Sequence, residues 1–590
     1  MADSQGRFGS RPAVTVDGEP LAADVVPALV QVVVDGHLHL PDMFVLRFQD
    51  HGRDVLDRSR IRFGCKVAVA ATAAGDGTMT ALVTGEVTAL EQETDATGTW
   101  VVVRGYDPCH RLCRGRRTRS FRDTTDAEIV SRVAGEAGVA LGAVDRDGPV
   151  YPHVSQVNLS DWEFLRARAQ ETGHELAAVG GRLEWRALRS SGDAPAPAAD
   201  LVTPPGPDEL VLGRNLLRFR PRVTASAQVG EVRVRGWDPA AKQAVLGSAT
   251  AATASAAVGI TPGELAGIFD AAPFVVVDRP VDSQSEADAV AGAVAEQIAG
   301  AHAEAEGTAY GDPRLVPGAA VSVGCAGWPH DGRYVLTATR HRYDEDGYHT
   351  DFTVSGRQER SLLGLASLGA TKGAHRAGGP PVYGLVVAEV TDVGDPRHQF
   401  RVKVRFPWLA DDYESWWARV AQPGAGDGRG LAWLPEVGDE VLVGFAHGDV
   451  RAPYVVGGLY NGVDRPPLAG SLVDDTAGTV QRRALVSRQG HRLVLSDDDS
   501  RSEVELATGD GKLTITLDSS GTRIVVDSSG TVSISGSRGV EISSGADLTV
   551  KAQGGLTLQA TGELKLSGRA GVTVDGGPSV AVTGGVVKLN

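Results

Sequence analysis
Between Ile524 and Val582 aliphatic residues recur with a period of eight. The first position of each repeat reads Ile524, Val532, Val540, Leu548, Leu556, Leu564, Val572 and Val580. The second, two residues later, reads Val526, Ile534, Ile542, Val550, Leu558, Leu566, Val574 and Val582. The residue between them points to the other face of a strand and is mostly polar: Val525, Ser533, Glu541, Thr549, Thr557, Lys565, Thr573 and Ala581. Two residues past each second position stands a small residue: Ser528, Gly536, Ser544, Ala552, Ala560, Gly568, Gly576 and Gly584. The pattern predicts short strands, each with one buried face, joined at tight corners.

A period of eight is too short for a coil closed by one chain, whose turns need roughly twenty or more residues. A lone ribbon of such strands would expose its aliphatic row and its unpaired edges. Three copies about one axis remove both faults, because each chain supplies one strand per face and the aliphatic residues meet at the centre. With strands stacked about 4.8 Å apart, eight repeats make a prism of about 40 Å. A flexible Gly/Ser tail would not keep every one of these positions aliphatic and in register. The repeat positions are therefore the candidate trimer-axis core.

Upstream, residues 13–110 alternate in runs such as LVQVVVDGHLHL, FVLRF and TWVVVRGYD, which predict antiparallel strands. Two helices have clear starts. Thr125 with Glu128, and Ser160 with Glu163, form capping boxes, and Gly173 is a C-terminal stop. An Ala-rich stretch predicts a third helix near 286–306, with further strands at 316–355. Residues 190–208 and 248–259 are low-complexity loops, and 363–380 is a linker. In the block 381–467, Phe400, Val402, Val404 and Phe406 alternate with Arg401, Lys403 and Arg405, so one strand face is buried and the other wet. Five short strands here suggest a small barrel of the oligonucleotide/oligosaccharide-binding (OB) kind.

Length, composition and charge narrow the class. At 590 residues the chain should hold several domains. With 74 Gly and 30 Pro it suits many short strands better than a helical bundle. A net charge of -16 argues against a nucleic-acid partner, and the basic run Arg114 to Arg122 is expected to be a solvated or intersubunit edge. The N-terminus lacks the apolar core of a signal peptide, so synthesis and assembly in the cytoplasm are expected. Cys65, Cys109, Cys113 and Cys325 fit reduced structural thiols, since no second pair completes a tetrahedral zinc site beside Cys109 and Cys113. His37 and His39 also read as structural. No residues are singled out as catalytic, cofactor-binding or metal-binding.

The run DPRHQFRVKVRFPW, then SWWARVAQPGAG, then LPEVGDEVLVGFAHGDVRAPYVVGGLYNG resembles the core of the valine-glycine repeat protein G (VgrG) family, spikes of type VI secretion and related contractile injection systems. YDPCHRLCRGRRTRSF, HVSQVNLSDWEFLRARAQETGHELAAVGGRLEWR and AQVGEVRVRGWDP are similar to the hub half of that family and to phage late control gene D proteins. SRQGHRLVLSDDDS resembles the start of the spike. The resemblance implies a mainly β chain in four parts: a hub of paired β-barrels with a few helices at 1–362, the linker 363–380, an OB-fold domain at 381–467, and a connector with a triple-stranded, intertwined β-helix at 468–590. It further implies a homotrimer and a pseudo-sixfold ring docked on an inner tube protein and baseplate proteins. A small proline-alanine-alanine-arginine repeat (PAAR) tip protein would dock at Lys588, Leu589 and Asn590, with possible effector cargo, and delivery would come on contraction. Some relatives carry a lysozyme domain before the β-helix or an effector after it. Only about twenty residues separate Asn461 from the start of the spike, and no such domain is expected here. A non-enzymatic puncturing spike is expected, with the hub and spike of a contractile phage tail or tailocin as the alternative. A cell-wall or carbohydrate-active β-helix enzyme is the alternative from another class; it would need paired carboxylates about 5–10 Å apart.

Overall fold
Alternating aliphatic residues build most of this chain into strands, and the computed structural model describes residues 12–73, 78–356, 381–468, 470–498 and 501–588. The expected linker 363–380 lies outside these residues. Two units are formed, Met1–Arg465 and Pro466–Asn590. Among the described residues no helix is long and apolar enough to cross a membrane.

The part of the chain before residue 357, expected to be the hub, is dominated by one eleven-stranded sheet running from Leu216–Val223 at one edge to Glu19–Pro20 at the other. This sheet serves two separate cores. One gathers Val32, Val34, Phe44, Leu46, Phe48, Val67 and Val103; the other gathers Leu216, Ala303, Ala305, Val321, Tyr334, Phe352 and Val354. The halves join where Ala338–Asp344 pairs antiparallel with Leu29–His37, Thr339 opposite Gly36 and His341 opposite Val34. Each core seats a buried phenylalanine on a glycine. A Cβ on Gly105 would lie 2.3 Å from the Phe44 ring, and one on Gly307 would lie 2.2 Å from the Phe352 ring.

Both expected capping boxes are present. Thr125 and Ser160 each accept the N3 backbone N–H, and Glu128 and Glu163 each reach back to the cap backbone. The helices Asp126–Ala137 and Asp161–Thr172 end on left-handed glycines, Gly138 and Gly173. With flanking strands they enclose a third core around Phe121, Phe164, Leu165 and Trp185. The third helix differs from expectation. It spans Gln284–Gly300 and stops, and AEAEGTAY becomes the strand Ala303–Tyr310. Alanine favours helix only weakly, and here Ala303, Ala305 and Ala309 alternate at the period of a strand into the core. Residues 248–259 are likewise not all loop, since they finish the strand Gln243–Thr250 and include Ala256–Val258.

The OB barrel closes through Leu385–Asp392, Arg401–Arg405, Ala418–Val420, Pro453–Gly458 and Glu440–Phe445. Val402, Val404 and Phe406 are fully buried, as their alternation predicts. Phe400 is not: it sits before the strand at φ 61° and is 38% exposed. The turn that precedes it is held by Asp395, whose carboxylate accepts the N–H groups of Arg397 and Gln399 and the Arg401 fork. The Arg401 bonds, with those N–H donors, hold this carboxyl down to about 2.

The glycine seat under Phe352 can be tested. Gly307→Leu should force the ring aside and cost about 1–3 kcal/mol by overpacking, read as a lower denaturant midpoint. An unchanged midpoint would show that this core has room to spare.

Candidate functional site
The distinctive surface of the molecule lies in the unit Pro466–Asn590. Five strands, Arg482–Val486, Arg492–Asp498, Arg501–Ala507, Leu513–Asp518 and Arg523–Ser528, form an antiparallel meander. Residues directly opposite in such a ladder share a face. One row therefore reads Leu485, Leu493, Leu506, Ile515, Val526, and the next reads Arg483, Leu495, Val504, Leu517, Ile524. This face is aliphatic and open, Leu506 being 54% exposed and Val526 55%. At one end it is closed by the Arg483–Asp497 ion pair at 2.7 Å. The opposite face mixes paired charges, Arg492–Glu505 at 2.6 Å and Arg523–Asp518 at 2.9 Å, with the buried Val494 and Ala507. The sheet has one finished side and one unfinished side.

The period-eight segment continues this state. All sixteen repeat positions are between 54% and 74% exposed. From Thr531 to Lys588 no residue belongs to a strand of this chain. The corners are tight: a Cβ on Gly536 would lie 2.4 Å from the Gly539 carbonyl, and one on Gly576 would lie 2.2 Å from that of Ser579. Ser544 Oγ donates to the Asp547 carbonyl across another corner, at 3.1 Å. Ile524 and Val526 differ from the other fourteen, because they sit in the last meander strand and not in an unpaired repeat. Of the residues expected to meet a tip protein, Lys588 is exposed; Leu589 and Asn590 lie outside the described residues.

The outward charges of the barrel are engaged in ion pairs. On the wet face of the barrel, Arg401 pairs with Asp395 at 2.6 Å and Arg405 with Glu389 at 2.6 Å, while Lys403 lies between Asp392 and Glu414. Lys403 also stands 4.9 Å over the Trp417 ring. Trp416 packs outside the barrel, stacked on the His153 ring at 5.7 Å, and Trp408 and Trp433 are half-exposed. The basic run, expected to be a solvated or intersubunit edge, is exposed at Arg114, Arg116, Arg117 and Arg122, and also carries ion pairs within the chain. Arg117 and Arg119 pair with Glu136 and Asp161, Arg116 with Glu163, and Arg122 with Glu414 of the barrel. These bonds tie the strand Arg117–Thr124 to two helices and to the barrel, within the chain.

The remaining candidate chemistry is structural. The His37 and His39 rings lie 5.4 Å apart, His37 Nδ1 accepts the His39 N–H, and the His39 carbonyl accepts the Trp162 indole N–H. Asp42 and Asp107 are buried together, and desolvation raises both carboxyls, Asp42 further through the nearby Asp107 charge. His341 is held down to about 4 by burial, with Tyr348 and the Leu315 carbonyl as partners. Among the described residues, no group of three or more His, Cys, Asp and Glu could hold a metal ion.

Two sets of residues escape the sequence reading. The meander row does so because its hairpins are spaced unevenly, although LVL, VEL and LTITL alternate plainly enough to mark strands. The contacts of the hub with the barrel have no sequence signal at all. His153 Nε2–H donates to the Glu414 carbonyl, Ser155 Oγ meets Tyr413 OH at 3.0 Å, and Arg451 forks onto Glu171 at 3.2 and 3.3 Å.

Comparison with known proteins follows these features. A family model described as the type VI secretion system/phage-baseplate injector OB domain matches residues 386–460, the barrel. A second model, the Alg8 N-terminal domain, matches residues 66–345. That span omits Leu29–His37 and Leu40–Gln49, which lie in the middle of the sheet it crosses, so it does not delimit a folded unit. The type VI secretion system spike protein VgrG5 of Pseudomonas aeruginosa is 45% identical over 96 residues, 15% of this chain and 12% of that protein. Spike protein VgrG3 of Vibrio cholerae is 37% identical over 107 residues, 18% of this chain and 10% of that protein. The matched stretches thus span about a tenth of these relatives. A chain of the half-lidded Francisella PdpA-VgrG complex shares the fold, with a TM-score of 0.50 at 7% identity over 88% of this chain and 87% of that one.

Two outcomes follow from the charge pairing. With the barrel's cations engaged, labelled single-stranded oligonucleotide should bind no tighter than about 1 μM at physiological salt; tighter, salt-dependent binding by fluorescence anisotropy would contradict the pairing. Burial depresses His153 from 6.5 to about 4, so the folded state binds this proton more weakly than the unfolded chain. The penalty is absent above about pH 6.5, grows as pH falls and is complete near pH 4, up to about 3 kcal/mol. Thermal unfolding at pH 7 and pH 4.5 should show a smaller pH-dependent loss in His153→Gln than in the parent; equal losses would remove His153 from the account.

Proposed function
Because the chain is VgrG-like, we propose that it is the structural spike and baseplate hub of a contractile injection system, acting as a homotrimer. The observation that carries this is the unit Pro466–Asn590: a face with Arg–Glu and Arg–Asp pairs opposite an aliphatic face that is exposed among the described residues. Two further copies, related by a threefold axis, bring three such faces together. The sixteen repeat positions and the meander row then form one dry axis, and the unpaired segment after Ser529 pairs between chains. Burying a Val, Leu or Ile is worth roughly 1.5–3 kcal/mol, so the axis is stiff as well as stable.

In this reading the hub meets the inner tube and baseplate proteins, and the barrel couples hub to spike. The end near Lys588, Leu589 and Asn590 takes a PAAR-type tip protein or effector cargo. Sheath contraction drives the assembly, made in the cytoplasm, through a target membrane. The chain works by shape and stiffness and performs no hydrolysis of its own. A contractile phage tail or tailocin is the second reading, favoured by the barrel's match to a family whose description spans both type VI secretion and phage baseplates.

Light scattering tests the central claim. The intact chain should have three times its 61.5 kDa mass. Val550→Asp would place three carboxylates on a dry axis at several kcal/mol per ion, and should yield monomer or aggregate. A folded monomer at micromolar concentration for the parent would overturn the proposal.

A further inference from the structure
The strand Tyr151–Leu159 belongs to two cores at once. Its even-numbered residues face the hub: Val154 packs in the helix core, and Gln156 is buried against Arg119 and Asp161. His153, Ser155 and Val157 face the OB barrel, whereas Tyr151 and Leu159 near the strand ends pack on the helix core. Val157, 4% exposed, is counted among the barrel's own core with Val390, Val404 and Tyr413. Ser155 meets the Tyr413 hydroxyl, and His153 lies on Trp416.

Beside this strand runs a chain of alternating charges. Asp126 is gripped by the Arg168 fork at 3.0 and 3.1 Å, Arg168 reaches Glu171 at 3.3 Å, Glu171 receives Arg451, and Arg451 holds Asp449 at 2.8 Å. The first three belong to the hub and the last two to the barrel. Parting the two would bare Val157, strip the Tyr413 hydroxyl of its partner and take from Glu171 its barrel counter-ion. Uncovering a buried, charge-paired joint is costly on both sides.

We propose that this joint carries load between hub and barrel. The strand Tyr151–Leu159 is its shared beam and Glu171–Arg451 its lateral lock. Hub and barrel therefore remain one body when the chain between them is cut. This is independent of how many copies assemble, because every contact named lies within one chain.

The test uses the full chain with a specific protease site in place of residues 366–372, cut to completion after folding. On gel filtration at 0.15 M salt the two pieces of the parent should co-elute. With Val157→Asp the pieces should separate, their association weakened at least tenfold, whereas Val157→Ile should hold them. The uncut variants should keep the parent's circular dichroism. Separation of the parent pieces, or co-elution of the Val157→Asp pieces at the parent's affinity, would overturn the proposal. Hydrogen exchange on the uncut chain gives a second readout. Val157→Asp should speed exchange at least tenfold in both 153–159 and 409–416 while leaving 40–49 unchanged, and an effect confined to 153–159 would also count against the joint.

Discussion
An aliphatic surface that one chain cannot bury governs this molecule. Elsewhere, among the described residues, much of the apolar content is gathered into packed cores, and the exposed apolar residues are scattered rather than set in a row. In the C-terminal unit the same alternation yields a face left open along its whole length. Soluble proteins seldom leave so long an apolar row uncovered unless it is an interface. The face behind it, with its Arg–Glu and Arg–Asp pairs, is what makes the open face directional: only one side of the sheet wants a partner.

The barrel is closed through five strands, with Val402, Val404 and Phe406 sealed inside. Its outward cations are balanced by neighbouring carboxylates. The hub extends the same economy, one sheet lining two cores with a glycine-seated phenylalanine in each.

Much of this was legible because it rests on local chemistry. Capping boxes at Thr125 and Ser160, the left-handed stop at Gly173 and the alternation through Val402 and Val404 are decided within a few residues. The period of eight was plain for the same reason. What could not be read depended on distant partners. AEAE after Gly300 has the composition of a helix and becomes a strand only because two other strands flank it. Phe400 looks like the first member of a buried row until the Asp395 turn twists it out. Glu171 and Arg451 are 280 residues apart, and nothing in either neighbourhood announces the other.

The meander also bears on how identical chains would find one another. A row that repeats every eight residues looks the same after sliding by one repeat, so three such segments have several near-equivalent alignments and little to choose among them. The five antiparallel strands before the repeat have no such translational symmetry. Their hairpins differ in length, and the Arg483–Asp497 pair marks one fixed end. In an assembly the meander would be the starting tooth of the zip: chains matched there are matched throughout, and alignment settled once near Leu485 is inherited, repeat after repeat, as far as Val582.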